Sequence, residues 1–356
     1  MSIISQRSPA RNVYLDGAYY VAEDNKGVMQ EKDTSFSTVF NNSVGDLGDG
    51  KINLAPVTYS VDARLEVDET YITVEGEGWG TLLSLANGVD DHVIRLSANN
   101  CFIKNLRIYG NNANNAGTIH GLYVYRSAGH RIENLKIYDC EVDDIHIGES
   151  TWQACLGGKI SGCYIGDTTN QTLGNGVYMD YSATDWEVYM NVIASHRQSG
   201  MAGLAIDGDN NNFSGNHLWG NWYNYRLAQN STLAGMHLHG DKCMDNMYHG
   251  IYAADELVKN SVITGCYFWR QGESAADMDS INFTGATVRN VAMVGNCFRG
   301  ELDDGTHQAR YAANLDASNT YCTFVGNTIE GYTNAAGYSI TDVSCEVDLN
   351  AVYDCS

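Results

Sequence analysis

The sequence repeats a short unit at long intervals. Residues 213–220 read FSGNHLWG and residues 233–240 read LAGMHLHG. Aligning on this echo gives ten copies of a six-residue unit, with starts 20 to 31 residues apart. The copies are IKNLRI at 103, IENLKI at 132, ISGCYI at 160, VYMNVI at 188, FSGNHL at 213, LAGMHL at 233, ITGCYF at 263, MVGNCF at 293, FVGNTI at 324 and VDLNAV at 347. A period of this length indicates a solenoid, because one unit cannot bury its apolar face without its neighbours.

Alternation within the period indicates strands. Positions one and six of the unit are apolar in every copy, and a second segment with apolar residues two apart lies between most copies. These segments are GLYV at 121, DIHI at 144, GVYM at 176, GLAI at 203, YRLA at 225, GIYA at 250, SINF at 280 and AANL at 312. Two strands per period, with room for a third, predict one coil of a parallel β-helix.

Position four of the unit predicts a buried ladder. Its inward members are Asn191, Asn216, Asn296, Asn327 and Asn350, and stacked amides can bond to each other from coil to coil. Cysteines take the same position in other copies, and the sequence has no CxxC pair. We therefore expect most of the ten cysteines to be free core residues, with Cys345 and Cys355 as the pair that could form a disulfide.

The segment before the repeats predicts a cap. DTSFSTVFNN at 33–42 has an Asp suited to a helix N-cap and apolar residues at helical spacing, namely Phe36, Val39 and Phe40. A short amphipathic helix there would cover the open edge of the first coil.

The next stretch resembles a known superfamily. Residues 52–85 contain an apolar strand leading to Pro56, a Thr-Tyr pair and the turn GEGWGT at 76–81. This entry resembles the pectate-lyase-like right-handed parallel β-helix superfamily, and most of all its phage tailspikes and polysaccharide depolymerases. The resemblance implies an all-β, single-stranded right-handed parallel β-helix of about ten coils with a short N-terminal capping helix. We assign 1–32 to an N-terminal arm, 33–50 to the capping helix and turn, and 51–356 to the β-helix.

Composition restricts the partners. The formal net charge is −22, from 21 basic and 43 acidic residues, which argues against nucleic acid and an anionic membrane surface as partners. No run is apolar enough for membrane insertion, and the start lacks the apolar core of a signal peptide. No motif requires a cofactor or forms a metal set, because His217 and His237 align without a completing Cys or carboxylate. Ca²⁺ is the cation that an acidic surface and an acidic glycan would favour.

Carboxylates on the second strand are candidates for catalysis. Coils stack about 4.8 Å apart, so outward residues at equivalent positions form columns. The first column is Tyr123, His146, Tyr178, Ala205, Arg226, Tyr252, Asn282 and Asn314, and the second is Tyr125, Gly148, Asp180, Asp207, Ala228, Ala254, Thr284 and Asp316. Asp180 and Asp207 are thereby predicted to be an acid and base or nucleophile for glycoside cleavage. The alternative is two chance neighbours or a structural cation site.

A second cluster is the reserve site. Residues 136–148, KIYDCEVDDIHIG, resemble the polygalacturonase pattern in which two adjacent Asp residues precede an apolar strand. Asp143 and Asp144 are the matching pair, and the strand after them contains His146. Asp144, His120 and His146 form this reserve site, and His120, in TIHG, could serve as acid or base beside Asp144. In polygalacturonases the coil before supplies an Asn-Thr-Asp and the coil after a Gly-His-Gly, whereas here those places hold TIHG at 118 and GNG at 174, and the His-Gly of YHGIYA at 248 lies several coils away. Polygalacturonase activity is therefore not expected.

An aromatic column marks the other strand. It runs Tyr109, Tyr138, Gly166, Ala194, Trp219, His239, Trp269 and Arg299. Such rings suit either a subunit interface or stacking on sugars. For substrate binding we name Tyr123, Tyr125, Tyr178, Trp219 and Trp269.

Two classes of function remain open. In the first, the chain is a tailspike-like protein that binds and depolymerises a bacterial surface polysaccharide as a hydrolase or lyase. In the second, it is a non-catalytic receptor-binding or structural fibre protein. Either would be a homotrimer placed in the virion, or extracellular after lysis, with other tail proteins bound through the arm. The sequence does not identify the glycan.

Overall fold

The computed structural model describes residues 9–149, 154–166, 174–228, 232–253, 257–272, 278–300, 309–333, 336–342, 344–348 and 350–353. Ala254 and Cys355, named above, lie outside these ranges. The described chain is a parallel β-solenoid with one α-helix near its start. None of its helices combines the length and apolar character that crossing a membrane would take.

The N-terminal arm extends the first coil. Strands β1 Ala10–Asp16, β2 Tyr19–Asp24 and β3 Met29–Asp33 form an antiparallel meander. β1 also pairs in parallel with β4 Gly50–Leu54, the first strand of the solenoid. The arm is therefore continuous with the solenoid sheet.

The single α-helix covers the open end of the solenoid, as predicted. Helix α1, Phe36–Leu47, buries the three predicted residues Phe36, Val39 and Phe40 completely. The N-cap is Ser35, whose side chain accepts a hydrogen bond from the Thr38 backbone N–H. The predicted Asp N-cap was wrong, because the Asp33 carboxylate instead accepts from the backbone N–H of Ser35 at 2.8 Å.

The remaining strands follow in chain order. Those of the first coils are β5 Thr58–Val61, β6 Leu65–Val67, β7 Ile72–Gly76, β8 Leu82–Leu85, β9 Ile94–Leu96, β10 Phe102–Tyr109, β11 Leu122–Val124, β12 His130–Tyr138 and β13 Ile145–Ile147. The middle coils contain β14 Cys155–Ser161, β15 Tyr164–Gly166, β16 Val177–Met179, β17 Ala183–Tyr189, β18 Val192–Ala194, β19 Ala202–Ile206, β20 Asn212–Ser214, β21 His217–Trp219, β22 Tyr223–Leu227, β23 Leu233–Ala234, β24 His237–His239, β25 Lys242–Met244 and β26 Ile251–Tyr252. The last coils contain β27 Leu257–Thr264, β28 Tyr267–Trp269, β29 Asp279–Asn282, β30 Thr287–Val294, β31 Cys297–Arg299, β32 Tyr311–Leu315, β33 Thr323–Val325, β34 Thr328–Glu330, β35 Tyr338–Ile340, β36 Glu346–Asp348 and β37 Ala351–Tyr353.

Two parallel stacks build the solenoid. The first sheet contains the repeat unit and, in most coils, two consecutive strands. The second sheet is a stack of eleven described strands, β6, β9, β11, β13, β16, β19, β22, β26, β29, β32 and β35. The solenoid has about nine turns, slightly fewer than the ten predicted.

One copy of the repeat was placed out of register. The structure pairs Phe213 with Leu238 and His217 with Lys242, so FSGNHL stacks on LHGDKC at 238 rather than on LAGMHL at 233. His237 is opposite Asn212, and the predicted neighbour relation of His217 and His237 was therefore wrong. His239 also leaves the aromatic column, where Met244 lies between the two tryptophans.

The buried ladder is confirmed. Asn191 Nδ2 donates to Asn216 Oδ1 at 3.0 Å, and Asn296 Nδ2 donates to Asn327 Oδ1 at 3.1 Å. Asn327 in turn donates to Asn350. The nine described cysteines are free, Cys345 among them. The solenoid core is thus held by apolar packing and by amide hydrogen bonds between coils.

Candidate functional site

The outward column of the second sheet is in register as predicted. Tyr123 pairs with His146, His146 with Tyr178, Tyr178 with Ala205 and Ala205 with Arg226. These polar and aromatic side chains therefore form one strip on the outside of the solenoid.

A histidine and a carboxylate form the centre of this strip. His146 Nδ1 lies 2.8 Å from Asp143 Oδ2, and Asp143 Oδ1 accepts from the backbone N–H and the Nδ2 of Asn175. Burial by itself raises the pKa of Asp143, but the hydrogen bonds from His146 and Asn175 outweigh it and hold the pKa below its usual value. The ionised carboxylate accepts the Nδ1 proton of His146. The imidazole Nε2 is then the atom left for proton transfer.

A second histidine contacts the same aspartate. His120 is buried, and its Nδ1 accepts the backbone N–H of Asp143 at 3.3 Å and lies 3.4 Å from Asp143 Oδ2. Its ring packs between those of His92 and His146, with centroids 5.0 and 4.3 Å away. Burial lowers the pKa of His120 to about 3 and that of His92 to about 4. Both rings are therefore neutral at physiological pH.

The neighbouring carboxylate, that of Asp144, contacts a different histidine. Its Oδ2 lies 3.1 Å from Nε2 of His196, and both side chains are fully buried. His120 and His146 thus surround Asp143, and the predicted grouping of Asp144 with these histidines was wrong. Asp143 and Asp144 are adjacent just before β13, but they contact different histidines.

Asp180 and Asp207 lie in consecutive coils beside this centre. Asp180 follows Met179 and Asp207 follows Ile206, and these two strand residues pair with each other in register. Both carboxylates are buried, with exposed fractions of 4% and 2%, although the sequence suggested that they project into solvent. Asp180 Oδ1 accepts from the backbone N–H and hydroxyl of Ser182. Burial raises the pKa of Asp180.

Tyrosines and one arginine complete the strip. Tyr178 donates its hydroxyl proton to Asp207 Oδ2 at 2.8 Å, and its ring meets that of His146 edge-on at 5.0 Å. Tyr123 also packs edge-on against His146, and Tyr125 packs beside Tyr123. Burial lowers the pKa of Arg226, although the negative charges of Asp207 and Asp143 act to raise it. Among the described residues, no acceptor contacts its buried Nε.

The two predicted tryptophans lie elsewhere. Trp219 belongs to β21 and Trp269 to β28, both in the first sheet. The structure therefore brings together His120, His146, Tyr123, Tyr125 and Tyr178 with the two aspartates, but not the tryptophans.

Three ligands in the strip could hold a metal ion. One potential ligand atom each from His120, Asp143 and His146 lies within 4.8 Å of the other two. Two nitrogens and one oxygen suit a transition metal such as zinc better than Ca²⁺, which prefers oxygen ligands. No metal ligands were predicted from the sequence, because His120 and Asp143 come from different coils.

Some site residues were missed by sequence reasoning. His92 lies in the loop before β9, and His196 in the loop after β18, where strand alternation does not fix the direction of a side chain. Asp143 was recognised as half of a paired-Asp motif, but its contact with His146 was not. The usable signal was the Asp-x-x-His spacing across a turn into a strand.

Comparisons of the whole fold indicate polysaccharide-active and phage proteins. No protein-family model matches the chain, and no curated protein matches its sequence. The A-module of the mannuronan C-5 epimerase AlgE6 of Azotobacter vinelandii is similar with a TM-score of 0.62 and 14% identity, over 89% of this chain and 95% of that module. The AlgE4 A-module has the same TM-score at 15% identity, over 89% and 90% of the two chains.

Phage tailspikes share the same architecture. Tailspike protein 2 of bacteriophage CBA120, in its enzymatically active domain, matches with a TM-score of 0.60 and 15% identity, over 89% of this chain and 50% of that one. The chain shares the parallel β-helix fold of these proteins. At these identities the likeness establishes the fold, and the site must provide the argument for function.

Proposed function

We propose that this protein is a polysaccharide-active enzyme whose reaction centre is the Asp143–His146 pair. The observation that carries the proposal is a partly exposed imidazole, 15% accessible in its side chain, held at 2.8 Å by a buried carboxylate. A buried acceptor on Nδ1 fixes the tautomer and orientation of a histidine that acts as general base.

The chemistry that suits this pair is proton abstraction next to a carboxylate. His146 Nε2 takes the C-5 proton of a uronate residue, and the electron pair delocalises into the sugar carboxylate. If a second group then delivers a proton to the opposite face of C-5, the product is the C-5 epimer. If instead the C-4 to oxygen bond breaks and the leaving oxygen takes up a proton, the product is an unsaturated uronate. Both routes need one base, one proton donor and a group that neutralises the carboxylate.

Arg226 is the candidate for that neutralising group. Its side chain lies two coils beyond Tyr178, close enough to Asp207 and Asp143 for their charges to act on it. A guanidinium in a partly desolvated site binds a carboxylate strongly. Tyr178, which lies in the coil after His146 and donates to Asp207, is the candidate proton donor.

The setting that we propose is a phage particle. The comparisons include phage tailspikes, and one of these, from bacteriophage HK620, is in complex with a pentasaccharide. We infer a tailspike-like role on a bacterial surface polysaccharide, with tail proteins contacting the arm. Four apolar residues exposed on the arm support such a contact, namely Leu15, Tyr19, Val28 and Met29.

The test is hydrogen exchange at C-5. Mannuronan, polygalacturonate and uronate-containing bacterial envelope polysaccharides are incubated with the protein in D₂O, and deuterium at C-5 is measured by NMR together with the absorbance of unsaturated uronate. The native protein should act on at least one polymer. His146→Ala and Asp143→Asn should lower the rate at least about 100-fold, whereas His237→Ala, at an exposed position on the first sheet, should not change it.

Other outcomes would redirect the assignment. Retained activity in His146→Ala, with loss in Asp180→Asn and Asp207→Asn, would favour hydrolysis by the carboxylate pair, which consecutive coils bring together. Loss of activity with a chelator and recovery with zinc would favour a metal on the His120, Asp143 and His146 set. Native protein that binds but changes none of the polymers would support the non-catalytic class.

A further inference from the structure

The solenoid contains a second copy of the reaction-centre motif. HGLY at 120–123 recurs as HGIY at 249–252, with His249 in the place of His120. His249 Nδ1 accepts the backbone N–H of Asp279 at 2.9 Å, as His120 accepts that of Asp143. Asp279 is fully buried, and its Oδ2 accepts from the side chain three residues later, Asn282, at 2.7 Å.

The two copies differ at the base. His146 in the first copy corresponds to Asn282 in the second, and an amide neither takes up nor releases a proton near neutral pH. The second copy holds a guanidinium instead, since Arg310 donates to both oxygens of Asp279 at 3.1 and 2.8 Å. The side chain of Arg310 is 34% exposed. The second copy therefore has the geometry of the first without its proton-transfer group.

Aromatic rings surround the second copy on the outside of the solenoid. Trp222 stacks on Tyr248 at 5.4 Å and 13°, and Tyr223 stacks on Tyr252 at 4.7 Å and 3°. These four rings belong to a hydrophobic cluster separate from the solenoid core, and the same cluster includes Tyr178 of the reaction centre. Trp222, Tyr248 and Tyr252 are only partly buried. The cluster thus connects the two copies along one face.

We propose that the second copy is a non-catalytic binding site for the same polyuronate chain that the reaction centre uses. Partly exposed aromatic faces suit stacking on sugar rings, and Arg310 suits a uronate carboxylate. The register from His146 through Tyr178, Ala205 and Arg226 to Tyr252 covers four coil steps, or roughly 19 Å at coil spacing. Only an oligosaccharide long enough to span this gap contacts both sites. The choice of a polyuronate rests on the proposed function, whereas binding itself does not require turnover.

The experiment separates binding from turnover. Binding of mannuronan and polygalacturonate, and of short oligosaccharides of each, is measured by calorimetry in a His146→Ala background, with and without Trp222→Ala/Tyr248→Ala. The double substitution should weaken binding of a polymer roughly tenfold and leave binding of the short oligosaccharides at the reaction centre unchanged. The matched control is Tyr321→Ala, which removes an aromatic ring that is 59% exposed in a distant coil and should not change binding. Circular dichroism checks the fold of each variant.

Each result decides the proposal. The proposal is overturned if polymer affinity is the same with and without Trp222 and Tyr248. It is also overturned if Tyr321→Ala loses as much polymer affinity as the double substitution, or if neither polymer binds. Selective loss of polymer binding supports it. If this loss occurs while the protein with His146 intact shows no turnover of any polymer, the binding site stands and the enzymatic proposal fails.

Discussion

Asp241 is a charged residue in a ladder of amides. It occupies the rung that the sequence alignment gave to Met236, and its carboxylate accepts from the backbone N–H and Nδ2 of Asn216 and from the hydroxyl of Tyr225. Burial raises the pKa of Asp241 to about 6, although these hydrogen bonds act in the opposite direction. The folded protein therefore binds a proton here more tightly than the unfolded chain does.

This difference predicts a pH-dependent effect of Asp241→Asn. The stability that the folded state gains by binding this proton is fully present below the unfolded pKa of about 4. It is lost as pH rises through the folded pKa of about 6. The neutral amide avoids the cost of a buried charge, so the variant should match the native protein near pH 4 and be more stable above pH 6, by up to roughly 3 kcal/mol. Denaturant unfolding at both pH values measures the difference.

The control for this experiment is Asp68→Asn, which removes a carboxylate from an exposed position and should show no such pH dependence. Equal stability of native and Asp241→Asn protein above pH 6 would contradict the argument.

Residue types alone were enough to predict part of the site. Strand alternation correctly placed His146, Tyr178 and Tyr123 in one outward column, because side-chain direction in a strand has a period of two. It could not assign Asp143 to His146, since Asp143 lies in the turn before the strand. The contact of Asp144 with His196 joins loops 52 positions apart, and nothing local in the sequence encodes it.

At the scale of the element, the strands of each coil were predictable from the sequence, but the register between two neighbouring coils was not. Each coil of this region has two glycine bends five residues apart, with φ near +65° at Gly215 and Gly220 and near +70° at Gly235 and Gly240. Both bends look alike in sequence, so an alignment can match the first bend of one coil to either bend of the next. The structure selects the match that makes three successive coils 25 residues long, from Val188 through Phe213 and Leu238 to Ile263.

The ladder is the element whose loss should be most costly. Asn327 accepts from the backbone N–H and Nδ2 of Asn296 and donates to the carbonyl of Met293 and to Asn350. Asn327→Ala leaves these buried groups without partners, and each such group costs about 1 to 3 kcal/mol. We expect the free energy of unfolding to fall by about 3 kcal/mol or more, measured by denaturant titration.

The neighbouring Thr328→Ala is the control, because Thr328 is exposed at the start of β34, directly after Asn327, and its substitution should change stability by about 0.5 kcal/mol or less. A loss of the same size in both variants would show that the strand, rather than the ladder, determines the effect.

At the scale of the whole molecule, one apolar surface of the described residues is left open. The first sheet presents Trp219, Met244 and Trp269 in register, each only partly buried. A row of partly exposed apolar side chains is a feature that association usually covers.

We therefore predict a homotrimer, in which closed symmetry covers the Trp219–Trp269 column without open-ended growth. Light scattering should give three times the chain mass of 39.0 kDa. Trp269→Glu should reduce this mass to that of one chain while the circular dichroism spectrum stays the same, because a charge in the column must be desolvated on association. Tyr321→Glu, at an exposed ring outside the column, should remain trimeric. A native mass of 39.0 kDa at working concentration would contradict the prediction, and the apolar column would then have to be explained by a different partner.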